Sequence, residues 1–127
     1  MNQELFSHSV FDDMSISEKV VADFLTNNGI WWTFEQPVFV IDDKNRPRLW
    51  SPDFYLPALG MYIEVVGDNS ADYSYREEIY RKNQIPVIFV YPNKEGWQGN
   101  LMNMIITIHQ GRWELIIRFP FYKNLSL

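Results

Sequence analysis

The sequence predicts an α/β fold in which helices sandwich a mixed sheet. Three observations predict it. A serine-capped amphipathic stretch, Ser15–Asn28, precedes segments rich in aromatic and β-branched residues that are separated by polar turns. A polar, helix-compatible segment follows, and it leads into the continuous apolar run Pro86-Val87-Ile88-Phe89-Val90-Tyr91, the pattern of a central parallel strand covered on both faces. The 127 residues suit one domain, spanning 1–127 with its core at about 15–91, and 46% hydrophobic residues supply packing material.

Each element has its own signal. Ser15 followed by Glu18 fits a capping box, Val20, Val21, Phe24 and Leu25 form the apolar stripe, and Asn27-Asn28-Gly29 fits a stop. Ile30 to Ile41 is too dense in aromatic and β-branched residues for a surface helix and reads as a strand, with Pro37 suggesting an edge or bulge. The polar cluster Asp42-Asp43-Lys44-Asn45-Arg46 fits a hairpin loop, after which Arg48-Leu49-Trp50-Ser51 returns antiparallel. Beyond Pro52-Asp53, and after a short loop containing Gly60, Met61–Val66 is a further strand. Met61, Ile63 and Val65 point one way there, and Tyr62, Glu64 and Val66 the other. Ser70 to Asn83 is expected to be helical, with Tyr75, Ile79 and Lys82 on one face and Arg76, Tyr80 and Asn83 beside it. A helix over Leu101–Gln110 and a last strand over Trp113–Phe119 complete the expected order.

Composition removes several classes of function. Without cysteine there is no disulfide scaffold, thiolate zinc site, iron–sulfur cluster or cysteine nucleophile. The opening MNQELFSHSV lacks the pattern of a secretion signal, and no apolar run is long enough to span a bilayer, so a soluble, cytoplasmic protein without membrane contact is expected. Eleven basic against sixteen acidic residues give a net charge of −5, which opposes polyanion binding by bulk charge and leaves only a local basic face for that role. His8 and His109 are isolated from any nucleophile or metal cluster in the sequence.

Three acids stand out. Asp53 opens a strand after Ser51-Pro52, Glu64 lies within the next strand between apolar neighbours, and Glu18 lies on the first helix. An acid inside a half-buried strand requires a partner, either a cation or a metal. Adjacent carboxylates repel unless a divalent ion keeps both ionised, and an all-oxygen donor set suits Mg²⁺ or Mn²⁺ rather than zinc. An ion so held, when bound to a phosphodiester, promotes its hydrolysis.

Glu18, the aromatic strand ending near Glu35-Gln36-Pro37, Ser51-Pro52-Asp53-Phe54 and Tyr62-Ile63-Glu64-Val65-Val66-Gly67 together resemble the PD-(D/E)XK nuclease superfamily. The similarity runs from about Ser15 to Tyr91 and is greatest to small members near very-short-patch repair, transposon-end and helicase-associated nuclease domains. It implies a restriction-endonuclease-like αβββαβ core, here extended by a C-terminal helix and strand, and a Mg²⁺-dependent DNA endonuclease. Asp53 and Glu64 would bind the metal through carboxylates and Val65 through its carbonyl, with Glu18 assisting directly or through water. The sequence departs from the pattern at Val66, where the family commonly has a lysine. Some members carry that cation on the following helix, which makes Lys82 the candidate here, with Arg76 and Arg81 nearby and Gln84 as a polar helper.

Plainer readings stand beside these. The capping box accounts for Glu18, a salt bridge to Arg48 or Lys82 accounts for Glu64, and Lys82 fits a snorkelling surface lysine. Arg46, Arg48, Arg76 and Arg81 are candidate phosphate contacts, although scattered cations also suit a solvated surface. A single-site domain cuts one strand, so action on a duplex implies a homodimer or a larger DNA-processing complex. The alternative is a catalytically inactive module of the same fold that binds DNA or protein, which Val66 favours.

Overall fold

The computed structural model describes residues 9–67 and 73–110, and within them the fold is mixed α/β. After a 3-10 turn at Val10–Asp13, helix α1 spans Ile16–Asn27. The predicted box is formed: the Glu18 N–H donates to Ser15 Oγ at 3.1 Å, and the Ser15 N–H donates to Glu18 Oε1 at 2.8 Å. The helix ends where Gly29 turns left-handed at φ 69°, and its inward stripe of Val21, Ala22 and Leu25 is fully buried.

The expected strand Ile30–Ile41 is two strands. β1 (Thr33–Phe34) and β2 (Val38–Ile41) enter different sheets, because Glu35 adopts a left-handed conformation at φ 59° and Pro37 cannot donate to a ladder. β2 pairs antiparallel with β3 (Pro47–Trp50) in a two-stranded sheet, Val38 opposite Trp50 and Val40 opposite Arg48. β1 pairs instead with β4 (Phe54–Leu56), a short strand between Pro52 and Pro57.

β4 pairs antiparallel with β5 (Met61–Val65), and β6 (Val87–Val90) adds to β5 in parallel, giving the order β1-β4-β5-β6. Helix α2 (Ser74–Lys82) makes the crossover from β5 to β6. The run at 87–90 is buried throughout and parallel as predicted, although it stands at the end of the described strand order. Helix α3 (Trp97–His109) starts earlier than expected, with Trp97 already inside and edge-on to Phe24. The predicted strand Trp113–Phe119 and the first turn of the predicted helix at 70–72 lie outside the described residues.

Alternation along β5 creates two cores. Met61, Ile63 and Val65 join the apolar faces of α1 and α3, with Leu25, Phe54, Leu101 and Met104 packed among them. Val66 lies in the second cluster with Val38 and Val40 of β2 and with Ile79 and Tyr80 of α2. Each fully buried side chain such as Leu25 or Phe54 contributes about 1.5–3 kcal/mol. This layering fixes β5 as the spine, so a polar residue on it is held rigidly. Among the described residues, no helix is long and apolar enough to cross a membrane.

Candidate functional site

The site forms where β4 begins and β5 ends. The antiparallel register Phe54 to Ile63 places Asp53 beside Glu64. The Val65 N–H donates to Asp53 Oδ2 at 2.6 Å, and the Asp53 N–H makes a longer contact of 3.3 Å with Glu64 Oε1. The first turn of α1 closes against the end of β5. A Cβ on Gly67 would stand 3.2 Å from Ser17 Oγ, an approach that brings Glu18 over the strand end. A cleft of about 450 Å³ results, lined by Glu18, Ser51, Asp53, Glu64, Val65, Tyr73 and Arg76.

The charge balance at Asp53 is unfavourable. Burial is the main force that pushes its carboxyl up, to about 8, against the opposing Val65 N–H. Hydrogen bonding with Glu18 and the charges of Glu64 and Glu18 raise it further. Without a cation, Asp53 therefore keeps a proton at neutral pH.

Glu64 is 4% exposed and has found a cationic partner, though neither of those the sequence suggested. Arg76 of α2 grips Glu64 Oε2 with Nε at 2.7 Å and Nη2 at 2.6 Å. Tyr80, one turn on, donates to the same oxygen at 3.0 Å and accepts from Arg76 Nη2 at 2.9 Å. Burial first, then the Glu64 charge, raise the Tyr80 pKa, so the phenol stays a donor. Burial works against the Arg76 charge, but the Glu64 carboxylate outweighs it and Arg76 is raised overall. The guanidinium also lies over Trp50, 4.6 Å from the ring centre.

Lys82 does not enter the cleft. Its Nζ donates to the Asp42 carbonyl at 2.7 Å and to Asn45 Oδ1 at 3.3 Å, at the tip of the β2–β3 hairpin. Asn83 holds the same hairpin by a reciprocal pair with the Ile41 N–H and C=O. Arg46 and Arg48 both point their Nε at Asp42 Oδ2, at 3.0 and 3.1 Å, and Arg81 pairs with Glu77 one turn away. Gln84 is an exposed turn residue at φ 56°, after the end of α2. Val66 is wholly buried in one cluster with Tyr80 and Ile79, so the position where the resemblance would call for a lysine is part of the core.

Sequence reasoning read Asp42 only as part of a turn, yet it is 1% exposed and organises the hairpin. It also missed Tyr80 as a partner of Glu64, although the (i, i+4) spacing of Arg76 and Tyr80 offered that signal.

Among the described residues, no three His, Cys, Asp or Glu side chains are gathered as a finished metal cage. Arg76 and Tyr80 draw Glu64 to one side, and the cap engages one oxygen of Glu18. The donor set nonetheless suits a hard divalent ion. Asp53 and Glu64 each use one oxygen in a strong contact, and the remaining carboxylate oxygens, with Glu18 beside Asp53, are the hard donors such an ion takes. No protein family matches the chain, and neither does any curated protein or solved structure.

Proposed function

We propose that this protein is a Mg²⁺-dependent DNA endonuclease with a restriction-endonuclease-like core. The observation that carries the reading is the convergence of Glu18, Asp53 and Glu64, from three separate elements, on one open cleft. The capping box accounts for Glu18 and Arg76 for Glu64, but neither accounts for Asp53 being set between them, where burial and both acids push its carboxyl up. Asp53 and Glu64 would hold the ion, with Val65 offering a carbonyl and Glu18 supporting the Asp53 side. The bound ion would neutralise phosphate charge and polarise the scissile bond to phosphorus. The protein's own part is to keep the Asp53 and Glu64 carboxylates fixed, through the Val65 N–H and through Arg76 with Tyr80. Mn²⁺ substitutes for Mg²⁺ on the same oxygen donors. DNA is the substrate, the working unit is a homodimer or a larger DNA-processing complex, and the location is cytoplasmic.

The experiment is DNA cleavage with Mg²⁺ or Mn²⁺. Asp53→Ala abolishes cutting by the purified protein, and Glu64→Ala does the same. Robust cutting by both variants would sink the reading.

One observation favours a second reading, a catalytically inactive module of the same fold that binds DNA or protein. Arg76 neutralises Glu64 without any metal, and Val66 fills the lysine position with an apolar side chain. Calorimetric titration with Mn²⁺ separates the two. Absence of binding at millimolar ion, with and without DNA, selects the inactive module.

A further inference from the structure

The strongest unexplained feature of the cleft is the way Arg76 is used. Its Nε and Nη2 edge is committed to Glu64 and Tyr80, and its face lies over Trp50. A guanidinium carries five N–H donors in a fixed plane, and among the described residues Nη1 donates to none. The side chain keeps one third of its surface exposed and lines the cleft together with Ser51 and Asp53. A purely structural counterion for Glu64 needs neither the open edge nor the position in the cleft.

We propose that Arg76 bridges Glu64 and a substrate phosphate, one edge fixing the carboxylate and the Nη1 edge binding the phosphodiester in the role that Val66 cannot fill. This deepens the nuclease reading and rests on it for the identity of the substrate. Arginine suits the task because its planar fork serves two anions at once, whereas a lysine ammonium in the same place is a point charge that Glu64 would capture. Lys82 takes no part, because its amine is held at the hairpin tip. The stack on Trp50 and the bond to Tyr80 hold the fork in place before substrate arrives, so little side-chain entropy remains to be lost on binding.

The test is binding of a short fluorescein-labelled DNA duplex, followed by anisotropy in Ca²⁺ across a salt series, with melting temperature measured on the same samples. Arg76→Lys keeps a charge on Glu64 and therefore the fold, yet weakens duplex binding about tenfold and lowers the slope of log K against log salt by about one. Arg76→Gln gives the same loss of slope, with a lower melting temperature. A merely structural arginine would lower melting temperature and affinity together and leave the slope unchanged. Wild-type affinity and slope in Arg76→Lys overturn the proposal, as does an unchanged slope in both variants. A parallel Mn²⁺ titration keeps the two readings apart. If the wild type binds no Mn²⁺ but the slope still falls in Arg76→Lys, the phosphate contact stands and the nuclease reading fails. If Mn²⁺ binds and the slope does not change, only the Arg76 bridge fails.

Discussion

Asp42 and Asp53 are both drawn into the body of the fold, and they are treated in opposite ways. Asp42 accepts from the backbone N–H groups of Lys44 and Arg46 and from the Nε atoms of Arg46 and Arg48, all within 3.1 Å. The Arg46 N–H leads these donors in holding the carboxyl well below the usual carboxylate range, and together they overcome the burial that works against them. Asp53 has one strong donor, the Val65 N–H, and two acidic neighbours, and its carboxyl is pushed up. Saturation with donors marks an acid whose work is structural. Crowding with other acids at an open cleft marks one that the fold does not supply with enough donors to keep it ionised at neutral pH.

The first way to break this contrast is Asp42→Ala, which has the largest expected effect on stability. It strands two turn N–H groups, removes the common partner of Arg46 and Arg48, and loosens a hairpin whose inner residues Val38 and Val40 are core. Melting temperature falls by several degrees or more at neutral pH. Because the folded pKa of Asp42 is depressed, its contribution is present above the ordinary aspartate pKa and lost as pH falls through and below it. Melting curves of wild type and variant should therefore converge in acid. Equal melting temperatures at pH 7 would refute the structural role.

Asp53→Asn should act in the opposite direction. Its raised pKa means that the unfolded chain ionises Asp53 while the folded chain still holds the proton. The metal-free protein accordingly loses stability as pH rises between about 4 and 8. The variant flattens that slope and gains about 1 to 3 kcal/mol at pH 8, measured by urea unfolding in chelator. Millimolar Mg²⁺ raises the wild type at pH 8 and leaves the variant unchanged. A wild type whose stability is flat from pH 4 to 8 would remove the contrast with Asp42.

The acids of the cleft were legible in the sequence because strand alternation and the capping box fix where Asp53, Glu64 and Glu18 stand. Glu64 was conspicuous as a charge among apolar strand neighbours. The cation was not legible, for a physical reason. α2 is short and polar, so residue spacing allowed either the stripe of Tyr75, Ile79 and Lys82 or the one beside it to face the sheet. Packing chose Ile79 and Tyr80, which turned Arg76 inward and left Tyr75 exposed. The break between β1 and β2 was hidden because a left-handed turn at Glu35 has no glycine to announce it. Asp42 looked like any turn aspartate, since its burial depends on an arginine brought back by β3 and on a lysine from α2 that meets its carbonyl.

Lys82→Ala has the smallest expected effect and decides to which of the two acids the lysine belongs. Lys82 is tied to the Asp42 carbonyl and to Asn45, so its loss should cost about 1 kcal/mol of stability. Asn83 still pins the hairpin through Ile41, which keeps that cost small. Nothing in this contact network reaches Asp53, so Mn²⁺ affinity and the salt slope of duplex binding remain those of the wild type. A loss of cleavage in Lys82→Ala at unchanged melting temperature would mean that the amine leaves the hairpin for the cleft during the reaction. Arg76 would then share or lose the role assigned to it. Intact cleavage beside a salt slope that depends on Arg76 would place the working cation on the inner face of α2, about one and two-thirds turns before Lys82.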